Sequence, residues 1–236
     1  MMTKKVMIKG AIVPNAWGEM YDYFGMDYAS PRSVSAILNE ANAEDVTVEI
    51  NSGGGVVESG SEIYTMLRSY TGKVTVQVVG IAASSASLIA MAGDIVEMSP
   101  ASNMMVHRSS SGAYGNIHDM ETAVQSAKAT DEAIASAYAF KTGMSKEEAL
   151  ALMDSTYWIT PQDAIDKGFA DKMMFEDEQP ILATASLYDF SPEKFEELNK
   201  LMKQNKESIP IEDNSQELAF LSSKLNLLKL GGHTDD

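Results

Sequence analysis

Residues 46–50, VTVEI, alternate apolar and polar positions as a half-buried strand does, and they run directly into the glycine-rich NSGGG. From Val56 the chain VVESGSEIYTMLRSY carries apolar residues at helical spacing, which completes a strand, a glycine turn and a helix. The arrangement then repeats. Residues 73–80, KVTVQVVG, read as a second strand, and the run from Ser84, SSASLIAMAG, reads as a buried helix. Two successive βα units predict a largely parallel sheet covered by helices.

Helical patterning dominates the next stretch. Residues 117–141, rich in alanine and closed by Thr-Gly, predict one long helix. SKEEALALMD opens with Ser145 as an N-cap and Glu148 three residues on, which predicts a helix ending near Asp154. TPQDAIDKGFADKM predicts a short helix stopped by Gly168 and then a final strand. Beyond Phe175 the pattern changes. EDEQPILATASLYDF has the look of a linker, and SPEKFEELNKLMKQNK that of an amphipathic helix capped by Ser191 with Pro192 at its first position. A second linker precedes a helix that spaces Leu218, Leu221, Leu225 and Leu228 by three and four. The expected division is a globular domain over residues 1–174 and an acidic linker with a helical tail over 175–236. The leucine-spaced helix suits either docking on its own domain or an assembly or scaffold contact.

Composition narrows the chemistry. With 236 residues, 44% of them hydrophobic, the chain can build a sizeable core. It has no apolar run of the roughly eighteen residues that a membrane span needs, so we expect a cytoplasmic protein with no membrane partner. The absence of cysteine excludes disulfides, thiol nucleophiles and thiolate metal sites. Covalent chemistry is left to oxygen or lysine nucleophiles. A net charge of −16 without a basic stripe argues against a nucleic-acid partner.

A serine hydroxyl is a poor nucleophile at neutral pH. It needs a base within reach, a group that orients the base, and donors for an oxyanion. Ser84 lies at the second strand-to-helix junction, where helix N–H groups are free and the local potential is positive. His107, at the end of the apolar strand in MMVHRS, is the natural base, because His118 and His233 fall in a helix entry and in the tail. Asp154 is the candidate to orient that imidazole, with Asp163 and Asp166 as rivals on the short helix. In INSGGG, Gly54 and Gly55 lack the Cβ atoms that would hold the backbone away from a bound carbonyl. A peptide N–H of this turn and that of Ser85 can then form an oxyanion hole.

Taken in order, INSGGGVVESGSEIYTML, GIAASSASLIAMAGD, MMVHRS and WITPQDAIDKGFAD resemble the ClpP family of serine peptidases over roughly residues 44–174. The resemblance implies an α/β fold of the ClpP/crotonase type, a ββα superhelix with a long handle helix. It also implies Ser84 as nucleophile, His107 as general base, Asp154 as third member, and Gly55 and Ser85 as backbone oxyanion donors. No metal and no cofactor are implied. A homo-oligomeric ring acting on peptide and protein substrates is.

The chain departs from the family pattern at Gly53, which stands where the family has proline. The stretch between Asp154 and Trp158 is about two residues shorter than in housekeeping ClpP, and the N-terminal segment differs from the one that ClpP uses at its axial pore. That segment and the acidic tail are more similar to the ClpP-like head-maturation (prohead) proteases of tailed phages. The expectation is an ATP-independent serine endopeptidase that cleaves scaffold and capsid proteins, and itself, in the host cytoplasm or phage prohead. The alternatives are a cellular ClpP-type proteolytic subunit partnered by a AAA+ unfoldase, a crotonase-like acyl-CoA enzyme, or a non-catalytic scaffold.

Overall fold

A computed structural model describes residues 4–176 of the chain. Strand β1 (Lys4–Ile12) leads through a 3-10 turn (Asn15–Trp17) and α1 (Gly18–Tyr23) to the short β2 (Tyr28–Ala29). Next come α2 (Pro31–Ala41), β3 (Val46–Gly55), α3 (Val57–Arg68), β4 (Val74–Ala83), α4 (Ser85–Ala90), β5 (Ile95–Met98) and β6 (Asn103–Val106). The described chain closes with α5 (Ile117–Thr142), α6 (Lys146–Asp154), β7 (Tyr157–Ile159), α7 (Pro161–Asp166) and β8 (Lys172–Met173). The linkers and helices expected after Glu176 lie outside the described residues.

The alternation in VTVEI shows directly in burial: Val46, Val48 and Ile50 are buried, while Thr47 and Glu49 are half-buried. The polar face is neutralised across the strands, since Lys9 and Lys5 of β1 reach the Glu49 carboxylate at 3.0 and 3.4 Å. The hydrogen bond from Lys9 first, and Lys5 with it, holds that carboxyl below its ordinary pKa against the opposing effect of burial. The strands run parallel in the order β2-β1-β3-β4-β5-β8. Strand β4 is the fork of the sheet. Its residues 75–78 pair with β5, and its residues 81–83 pair with β6, which in turn pairs antiparallel with β7. This largely parallel sheet packed with helices is the mixed α/β architecture that the two successive βα units predict.

Caps end the helices where the sequence says they should. Ser145 and Glu148 form a capping box at the start of α6. The long α5 starts on an Asn116 capping box and stops at Gly143, whose φ of 78° is left-handed. The first half of α5 is almost wholly exposed, whereas Asp131, Ile134, Ala135 and Tyr138 on its second half are buried. Among the described residues, α5 therefore docks by its second half only.

Candidate active site

The fork in β4 determines where chemistry can occur. Because β4 and β6 are parallel and pair Ala83 with Met105, both strands deliver their next residues to the same edge of the sheet. The Ser84 N–H continues the ladder by donating to the Met105 carbonyl at 2.9 Å. Ser84 and His107 thus emerge side by side, and the imidazole Nε2 lies 2.8 Å from the Ser84 hydroxyl oxygen. A general base must accept that bond at Nε2, which requires the tautomer with its ring proton on Nδ1. Ser84 has φ 56° and ψ −127°, a conformation that an L-residue adopts only under constraint. The turn projects the hydroxyl out of the strand line before α4 begins.

Hydrogen bonds below the nucleophile supply that constraint. The Ser87 hydroxyl donates to the Ser84 carbonyl at 2.6 Å, and the Tyr138 hydroxyl lies 2.8 Å from the same Ser87 oxygen. Since the one Ser87 proton is committed to Ser84, Tyr138 is the donor of the second bond. Burial pushes the Tyr138 phenol up to about 12, so it keeps this proton at any working pH. The relay ties α5 to the nucleophile turn. Ser87→Ala should lower folding stability by about 1–3 kcal/mol, because it leaves a buried tyrosine hydroxyl without a partner. Tyr138→Phe should cost less, and the double variant should recover part of the loss of Ser87→Ala; urea denaturation reads all three. Equal loss in both single variants would contradict this donor order.

Of the glycines, Gly54 and Gly55 do different things. Gly54 has φ 94°, and a Cβ there would stand 2.6 Å from the Ala83 carbonyl oxygen and 2.7 Å from the Ser84 Cβ. It is the close-packing residue against the nucleophile turn, and its N–H already donates to the Ser52 hydroxyl at 3.0 Å. Gly55 instead borders the cavity that holds Ser84, Ser85 and His107. That cavity, about 430 Å³, has an apolar wall of Leu88, Met105, Ile134 and Tyr138 facing the polar edge. Ser85 follows the nucleophile, and its own hydroxyl is buried with no hydrogen-bond partner among the described residues.

Asp154 stands elsewhere. Arg108 Nε donates to one Asp154 oxygen at 2.7 Å and its Nη2 to the other at 3.0 Å, a two-pronged pair. Arg108 chiefly, through these bonds, lowers the Asp154 pKa. The same guanidinium reaches Asp131 at 3.4 Å, and Asp131 accepts the Ser109 N–H at 2.7 Å. The Arg108 N–H donates to the Met153 carbonyl at 3.2 Å. The chain just after His107 is therefore clamped between α5 and α6. Among the described residues, His107 has no carboxylate partner. The rivals are also engaged elsewhere: Asp163 pairs with Lys167, and Asp166 accepts from Gln162. Sequence reasoning passed over Arg108, although it directly follows the histidine in MMVHRS. It also passed over Asp131, which in the sequence is one of four acids on an alanine-rich helix.

A serine hydroxyl in bonding contact with an imidazole, on a constrained turn after a parallel strand, is the arrangement of a serine hydrolase. The Clp protease family model matches residues 32–177. The ATP-dependent Clp protease proteolytic subunit of Deinococcus radiodurans is 30% identical over 141 residues, 58% of this chain and 69% of that protein. The subunit of the same name from Bacteroides fragilis is 30% identical over 135 residues, 56% of this chain and 65% of that protein. The chain thus spans about two thirds of the length of these relatives. It belongs to the Clp protease family, whose members are serine-type peptidases.

Proposed function

We propose that this chain is the proteolytic subunit of a Clp-type protease, assembled in a homo-oligomeric ring and cutting peptide bonds through Ser84. The observation that carries the reading is the 2.8 Å contact between Ser84 and His107 in the cavity bordered by Gly55. His107 Nε2 takes the Ser84 proton as the oxygen attacks the scissile carbonyl. The N–H groups of Gly55 and Ser85 hold the oxyanion, and the imidazolium returns the proton to the leaving amine. Water, deprotonated by the same imidazole, then releases the acyl group from Ser84.

We assign the third role to Asp154 once it leaves Arg108, a rearrangement that gives up a two-pronged pair between an exposed carboxylate and a half-buried guanidinium. The names of the relatives support an ATP-driven partner over the head-maturation role. On this reading the ring hydrolyses short peptides alone and needs a AAA+ unfoldase ring with ATP to degrade folded proteins. The test mixes the chain with such an unfoldase and a folded, tagged substrate. Degradation that requires both ATP and the unfoldase supports the reading. Cleavage of a scaffold protein without ATP, and no gain from the unfoldase, would instead favour head maturation.

A further inference from the structure

Beside the catalytic cavity lies a second one of about 460 Å³, within the range of roughly 300–1,000 Å³ typical of small-ligand sites. The two share Gly55, Val57, Ser109 and Ser110, so they adjoin at the oxyanion glycine. Its outer wall is Trp17 and Tyr21, from the segment between β1 and β2, and Tyr21 is braced by the Tyr28 ring at 5.6 Å. These residues precede position 32, where the match to the family model begins. The wall thus lies outside the stretch that the family model matches.

The lining carries one acidic side chain, Glu58, and neither lysine nor arginine. Glu58 sits in the first turn of α3 and has no cationic partner among the described residues. A carboxylate beside two aromatic faces, with the Ser110, Ser111 and Thr130 hydroxyls nearby, suits a planar cation. A guanidinium stacks on the rings and forks onto the carboxylate.

We propose that this cavity is a specificity subsite that seats a basic side chain, arginine foremost, of the substrate next to the scissile bond. Glu58 is the counter-ion, and Trp17 and Tyr21 are the stacking wall. The proposal rests on the peptidase reading above. It makes the β1–β2 segment a selector of sequence at the mouth of the cleft.

Binding to the full-length Ser84→Ala protein tests it without requiring turnover. Fluorescein-labelled peptides differing at one scanned position by Arg, citrulline, Ala or Glu are titrated by anisotropy. The expected result is a position at which Arg binds on the order of tenfold more tightly than citrulline, as losing one charge-assisted contact implies. Glu58→Lys in the same background should reverse the order, so that the Glu peptide binds more tightly than the Arg peptide. Trp17→Ala should weaken the Arg peptide without reversing the order. Glu44→Lys, just before the far end of β3, is the charge-matched control and should leave the order as it is. Equal affinity of the Arg, citrulline and Glu peptides at every position overturns the subsite, as does an order that Glu58→Lys and Glu44→Lys alter alike. Cleavage by the Ser84 protein is scored separately. Peptides held with an Arg preference but never cut would keep the subsite and overturn the peptidase reading, and peptides cut without charge preference would do the opposite.

Discussion

Ser84→Ala is expected to abolish both peptide hydrolysis and labelling by a fluorophosphonate probe while the protein stays folded. The hydroxyl is the one group this substitution removes. The Ser84 N–H and carbonyl, which hold the turn to Met105 and Ser87, are backbone and remain. What survives is rate enhancement from binding and the oxyanion donors, about 10³ to 10⁴ over water, which in a peptide assay is no activity. Circular dichroism and urea denaturation should match the wild type closely, because alanine occupies the same φ of 56° at a cost shared with serine. Probe attached to Ser87 or Ser85 in the variant would sink the assignment. Ser87 is a poor rival on structural grounds, since its proton is committed to the Ser84 carbonyl at 2.6 Å.

The parts of this site that were legible in the sequence are those set by local rules. Strand alternation in VTVEI, the Ser145–Glu148 capping box and the glycine stop at 143 each depend on a few neighbouring residues, and each element forms where those rules place it. Ser84 and His107 could be paired because both terminate apolar strands of the same hand, and parallel register does the rest. The fork of β4 was not legible. Nothing in KVTVQVVGIAA announces that one strand pairs with β5 along its first half and β6 along its second. The strand is also longer than its alternation marks, because β3 continues through NSGGG, expected as a turn, to Gly55. Gly55 at its end lies against the Ile12 backbone of β1, a contact more than forty positions away in sequence. The engagement of Asp154 by Arg108 was equally hidden. It joins residues 46 positions apart, and a sequence offers no way to choose between two partners for one exposed carboxylate.

His107→Ala should cost as much activity as Ser84→Ala, and the double variant should lose no more than either single one. Residues that act as one unit are grossly non-additive: without the base the hydroxyl stays protonated, and without the hydroxyl the base has nothing to activate. Comparing this loss with Asp154→Asn and Arg108→Gln then decides what orients the imidazole. Removing the acidic member of such a unit while preserving its shape costs up to about 10⁴ in kcat, because the ring falls into the wrong tautomer. If Asp154 leaves Arg108 for His107 Nδ1 in the assembled enzyme, Asp154→Asn should approach that loss. Arg108→Gln should then keep or raise the rate, since it frees the carboxylate from the 2.7 and 3.0 Å bonds that now hold it. If Asp154 only braces Arg108, the two variants should show equal and modest losses, both through a looser clamp on the backbone after His107. Steady-state kcat with a fluorogenic peptide, measured on all four proteins at saturating substrate, separates the cases. A fully active His107→Ala protein would remove the general base from the mechanism altogether.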